Sequence, residues 1–277
     1  MRQILSMAFT CLLLSATAPS AADWPQAWFD AGHTAHNPGE TGLSTSNVGR
    51  LRLAWSQHST GFWAGAIVAD GRIYVGGSDD RLHAYDAETG VELWSGPSEG
   101  VLFANAGAFS DGLVFASATS EPLRAYDAET GVVVWSAPEN SIFRASPTVD
   151  SGVVYATSFD GILSAFDAAS GAHLWSTAEA CCVFDQAPAV DGGRVFQMRT
   201  NGTLTAYHAS TGTELWTIVA FSAGSVTAAN GRVLFGNTPD VVAVDQATGE
   251  ELWRTPVFDT ATNGSPAVAD GRVFVQT

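Results

Sequence analysis

The stretch Ala84-Tyr85-Asp86-Ala87-Glu88-Thr89-Gly90-Val91-Glu92-Leu93-Trp94 decides the reading of this chain, because it recurs. Its skeleton, Ala-x-Asp-x-x-Thr-Gly-x-x-x-Trp, returns at residues 125–135 and 243–253. It returns at 165–175 with Ser170 for Thr, and at 206–216 with His208 for Asp. The tryptophans at 94, 135, 175, 216 and 253 stand 41, 40, 41 and 37 residues apart. Trp55, which closes Leu51–Trp55, extends the column 39 residues upstream. A period near forty marks a repeat architecture.

Each period predicts four short strands. In the first, these are Ala66–Ala69, Ile73–Gly76, Arg81–Asp86 and Val91–Trp94. Asp70-Gly71 separates the first two, and its equivalents are Asp111-Gly112, Ser151-Gly152, Gly192-Gly193, Asn230-Gly231 and Asp270-Gly271. Such dipeptides suit two-residue hairpins that need positive φ. Thr89-Gly90 turns the third strand into the fourth, and Asp86 can accept backbone N–H bonds there. The tryptophan carries a large apolar face and one N–H donor, suited to docking between adjacent units. Four strands per forty residues is a propeller blade. The expected fold is all-β: a W-motif β-propeller of four-stranded antiparallel blades, about five and a half of them in 51–277.

Composition narrows the function classes. The chain has 277 residues, 46% apolar and 14% charged, which excludes a disordered acidic tail despite the net charge of −16. All 12 basic residues are Arg against 28 acidic ones, so a nucleic-acid partner is not expected. No G-x-S-x-G, P-loop or C-x-x-C motif occurs. Residues 1–22 have the form of a secretory signal: Arg2, an apolar stretch from Ile4 to Leu14, and small residues Ser20-Ala21-Ala22 before Asp23. That stretch is short for a bilayer span. The expected organisation is a signal at 1–22, an N-terminal segment at 23–50 and repeats at 51–277, in a periplasmic or secreted protein. Cys11 lies inside the apolar stretch, badly placed to become a lipidated N-terminus.

The repeated motif resembles the tryptophan-docking motif of the pyrroloquinoline quinone (PQQ) repeat family. Trp24-Pro25 and Asn47-Val48, leading into Leu51–Trp55, resemble the opening of its secreted members. The resemblance implies a first strand that completes the last blade and an eight-bladed ring. The sixth unit stops at Thr277 after two predicted strands, so the chain is expected to be a truncated piece of that ring, with Leu51–Trp55 a candidate fourth strand. Family members include PQQ-dependent dehydrogenases and cofactor-free scaffolds for outer-membrane protein assembly. Three functions follow as expectations: an exported binding or scaffolding module, a dehydrogenase oxidising an alcohol with PQQ and calcium, or an assembly scaffold anchored at the outer membrane, which the lack of a lipid-acceptor cysteine weakens. A small molecule or a protein at the propeller axis is the expected partner, and no membrane span is expected.

Ligands of propellers bind where loops lead into the innermost strands. Aligned on the hairpins, Phe62, Phe103, Phe143 and Phe184 form one column, read as packing. The next column, Trp63, Ala104, Arg144, Asp185, Ala223 and Asn263, varies from unit to unit. Arg144, Asp185 and Asn263 are candidates for a polar axial cluster, or for solvated loops and an Arg144–Asp185 pair. Cys181-Cys182, in the same loop, can form a vicinal disulfide, bridge another chain or stay free; some PQQ alcohol dehydrogenases carry such a pair against the quinone. The candidate cofactor residues are therefore Trp63, Arg144, Cys181, Cys182, Asp185 and Asn263. No segment matches the family's calcium and catalytic-base runs. His33, His36 and His208 are too scattered for a metal site and read as solvated loop residues.

Overall fold

The computed structural model of the chain describes residues 23–57, 65–77, 79–96, 107–118, 122–138, 142–143, 145–178, 186–199, 201–220, 224–237, 239–257 and 265–275. Strands succeed one another in antiparallel sheets of sequential order. The first sheet is β1 (Ile67–Ala69), β2 (Arg72–Gly76), β3 (Leu82–Asp86) and β4 (Glu92–Gly96). The second is β5 (Ala108–Ser110), β6 (Leu113–Ala116), β7 (Arg124–Asp127) and β8 (Val133–Ser136). The third is β9 (Thr148–Asp150), β10 (Val153–Thr157), β11 (Leu163–Asp167) and β12 (His173–Ser176). The fourth is β13 (Ala189–Asp191), β14 (Arg194–Arg199), β15 (Thr203–His208) and β16 (Glu214–Val219). The fifth is β17 (Thr227–Ala229), β18 (Arg232–Asn237), β19 (Asp240–Asp245) and β20 (Glu251–Pro256). A sixth holds β21 (Ala267–Ala269) and β22 (Arg272–Phe274). The first strands of successive sheets neighbour one another, which sets the sheets radially as propeller blades.

The motif residues act as their chemistry requires. Asp70 and Gly71 sit at φ 49° and 71°, the doubly positive pair of a two-residue hairpin, and the equivalent dipeptides repeat it. Asp86 Oδ1 accepts from Thr89 N at 2.8 Å and from Thr89 Oγ1 at 2.6 Å. Asp127, Asp167 and Asp245 repeat the arrangement, and these bonds hold all four carboxyls below the usual carboxylate range. The motif alanine is fully buried opposite the tryptophan, as in the pair Ala84–Trp94, and the ladder shifts register immediately after it in every complete blade.

The core lies between blades. One cluster joins Phe115 and Trp135 of the second blade to Val154 and Phe166 of the third; another joins Tyr155 and Trp175 to Val195 and Tyr207 of the fourth. Four of the motif tryptophans, Trp94, Trp135, Trp175 and Trp216, reach forward to the next blade's turn. Trp94, Trp135 and Trp175 donate their indole N–H to Ala128, Ala168 and Ala209 oxygens at 3.0, 2.9 and 2.9 Å. A Cβ placed on Gly171 would lie 2.6 Å from the Trp135 ring, and Gly171 also has φ 72°, so only glycine fits. Trp55 docks in the same way, donating to Ala87 O at 3.1 Å over Gly90. Leu51–Trp55 itself, however, carries no strand pairing among the described residues, so its expected strand character is not seen. The tryptophan docks because its acceptor belongs to the first blade; a strand needs a neighbouring edge as well.

Candidate functional site

The six residues expected at a cofactor site, Trp63, Arg144, Cys181, Cys182, Asp185 and Asn263, all lie outside the described residues. Phe62, Phe103 and Phe184 do too. Phe143 is described: it is buried and meets Phe166 edge-to-face at 5.9 Å, a packing role.

The described axis is organised by the first part of the N-terminal segment at 23–50, which the sequence did not place at the axis. Residues 24–34 cross the innermost strands one after another. The middle residue of each such strand points its N–H away from its own sheet, towards the axis, and each finds an acceptor on this segment. Val68 N donates to Trp24 O at 2.9 Å and Phe109 N to Pro25 O at 2.7 Å. Val149 N donates to Gln26 Oε1 at 3.0 Å, and Gln26 Nε2 returns a bond to Val149 O at 3.3 Å. The side-chain amide thus stands in for a peptide unit. Val190 N donates to Ala31 O at 2.6 Å, Ala228 N to Gly32 O at 2.7 Å and Val268 N to Thr34 O at 2.8 Å. A Cβ on Gly32 would collide with the Ala228 carbonyl oxygen, so glycine permits this approach. Asp30 holds the bend, accepting from Thr34 N at 2.8 Å.

His33 corrects the expectation of a solvated loop residue. It is 1% exposed, with Nδ1 3.2 Å from Val226 O and Nε2 3.2 Å from Thr148 Oγ1. A carbonyl only accepts, so the proton sits on Nδ1 and Thr148 donates to Nε2. Burial lowers its pKa to about 4 against the smaller raising effect of the Val226 bond, so the imidazole is neutral at pH 7. Trp28 lies over it with ring centroids 4.7 Å apart. His36 is half-buried, and exposed His208 Nδ1 accepts from Ser210 N at 3.3 Å.

A cleft of about 440 Å³ flanks this segment on the hairpin side of the ring, lined by Asp30, His36, Asp150, Asp191, Asn230 and Asp270 among others. Burial raises the Asp191 pKa, and the charges of Asp30 and Asp150 push it further, against lowering bonds from Gln246 and Gly192. Among the described residues no three His, Cys, Asp or Glu side chains stand together as metal ligands. No helix among them is long and apolar enough to cross a membrane.

A family profile described as "Outer membrane protein assembly factor BamB" matches at residues 22–102, 96–183, 160–235 and 200–277. Among curated proteins, quinoprotein ethanol dehydrogenase of Pseudomonas putida is 35% identical over 115 residues, 33% of this chain and 18% of that protein. Quinohemoprotein alcohol dehydrogenase of Comamonas testosteroni is 33% identical over 85 residues, 30% of this chain and 12% of that protein. The matched segments thus span less than a fifth of those relatives. Among solved structures, BamB from Moraxella catarrhalis aligns with a TM-score of 0.64 at 23% identity, covering 76% of this chain and 70% of that one. The Comamonas dehydrogenase aligns with a TM-score of 0.70 at 18% identity, covering 88% and 50%. These structural likenesses speak for the propeller fold.

Proposed function

The chain belongs to the PQQ-like repeat family to which the BamB profile applies, and on that premise we propose that it is a binding and scaffolding propeller working outside the cytoplasm. One observation carries this reading. The outermost strands β4, β8, β12, β16 and β20 each end their sheet, and each exposes one apolar residue immediately before its tryptophan. These residues, Leu93, Val134, Leu174, Leu215 and Leu252, are 43–51% exposed. A repeated apolar side chain on an unpaired strand edge offers a protein partner both main-chain hydrogen bonds and side-chain contacts. The export part of the reading is supported by the signal-like residues 1–22, which lie outside the described residues.

A quinoprotein dehydrogenase is the second reading, favoured by the 32–35% identity of three dehydrogenases over about a third of this chain. When bound, PQQ would supply a two-electron acceptor for an alcohol. Its candidate contacts, Cys181 and Cys182 foremost, lie outside the described residues. One titration separates the two. Purified full-length chain is mixed with PQQ and Ca²⁺, gel-filtered, and assayed for retained quinone absorbance and dye reduction with ethanol. Scaffolding expects neither signal. Stoichiometric quinone that reduces dye overturns it.

A further inference from the structure

We propose that the propeller axis is a peptide-recognition site and that residues 24–36 are its tethered ligand. The recognising elements are the axis-facing N–H groups of Val68, Phe109, Val149, Val190, Ala228 and Val268, one per blade. Every acceptor they use is a main-chain carbonyl of the segment, save Gln26, whose amide mimics one. That is how an exposed strand edge captures an extended peptide: the backbone supplies affinity and a few side chains set the register. Here the register is set by Gln26 across β9, by Gly32 against Ala228, and by the buried imidazole of His33 between Thr148 and Val226.

Two features mark the segment as a ligand rather than another strand. It joins no sheet: its pairing is limited to single bridges at Trp24–Val68 and Gln26–Ala108. It also holds Trp28, Phe29, His33 and Ala35 at φ of 52–79°, a conformation costly for residues with a Cβ and held only by what surrounds it. Its connection to the repeats is solvent-facing, with residues 38–46 all exposed. The recognised chemistry is an aromatic peptide opening on Trp-Pro-Gln, with glycine at the closest approach and one carboxylate, Asp30, bonded within the peptide to Thr34. This inference stands whether or not the outer strands bind a partner or the loop side of the axis binds a quinone.

The test weakens the ligand and leaves the site whole. In full-length Gly32→Val the added side chain strikes Ala228 O, while all six donors remain. Amide exchange at Val68, Phe109, Val190, Ala228 and Val268 is expected to accelerate together by at least about tenfold, with strand interiors such as β10 and β14 unchanged. A synthetic peptide of residues 23–37, added in trans, is expected to restore that protection and raise Tm. The same peptide carrying Gly32→Val is expected to do neither. If the variant is folded and the wild-type peptide restores nothing, the proposal fails. If the variant does not fold, wild-type exchange decides. A bound ligand lets these five amides open as one group, faster than β10 and β14; exchange only through global unfolding makes the segment part of the fold and overturns the proposal.

Discussion

Replacing Trp135 by Phe removes an indole N–H that lies 2.9 Å from the Ala168 carbonyl oxygen. Ala168 is 5% exposed, so water is a poor substitute partner. The lost hydrogen bond accounts for about 1 kcal/mol and the orphaned buried carbonyl for roughly 1–3 more. A total near 2–4 kcal/mol is expected. Trp175→Phe makes the same chemical change in the next blade, where the outcome differs for a visible reason. The acceptor there, Ala209 O, also receives the Tyr155 hydroxyl at 3.4 Å, and Ala209 is only half-buried. The second blade has Phe115 where the third has Tyr155, so Ala168 has no such reserve. Trp175→Phe should therefore cost about 1–2 kcal/mol less. Urea unfolding of the two variants, followed by tryptophan fluorescence and circular dichroism, measures both. Adding Tyr155→Phe to Trp175→Phe should recover part of the difference. If the two single variants lose equal stability with equal m-values, indole–carbonyl bonding is not what ties one blade to the next.

Further outcomes follow from the same geometry. Gly171→Ala combines φ 72° with a 2.6 Å approach to the Trp135 ring, whereas Gly152→Ala has φ 77° and open space around it. The first should cost at least about 2 kcal/mol, the second about 1, read by the same urea curves. His33 titrates near 4 in the folded chain and 6.5 as the ordinary value, so the unfolded state binds more protons between them. Stability is then full above pH 6.5 and falls as pH drops towards 4, by up to about 1.4 kcal/mol per unit. His33→Gln should flatten that slope in pH-dependent melting curves. The turn carboxyls Asp86, Asp127, Asp167 and Asp245 have lowered values, so their contribution persists above the ordinary Asp range and vanishes only below it. Asp127→Asn should blunt the steep acid loss below about pH 4. Export predicts Asp23 as the first residue of the mature protein, checked by N-terminal sequencing; retention of Met1 in the extracytoplasmic fraction would refute processing.

What could be read from residues alone was everything that repeats. The forty-residue period, the hairpin dipeptides, the Asp-x-x-Thr-Gly turn and the docking tryptophan each obey local chemistry, and local chemistry is written in adjacent residues. The four strands of the first unit came out within one or two residues of those observed, because turns needing positive φ delimit them, whereas Leu51–Trp55, with no such hairpin, pairs with no strand among the described residues. Docking of the tryptophan between adjacent units was likewise legible; that it reaches forward, over the next unit's turn glycine, came from the structure. Residues 24–36 were different. Nothing in residues 24–34 declares that five of their carbonyls and the Gln26 amide will meet six strands separated by up to 200 residues, since those donors converge only once the blades are radial. His33 likewise looks like any loop histidine until Thr148 and Val226 close on it. A repeat determines its unit and the contact between neighbouring units; what occupies the axis is a property of the assembled ring, because only there do the unpaired edges of all the sheets face one another.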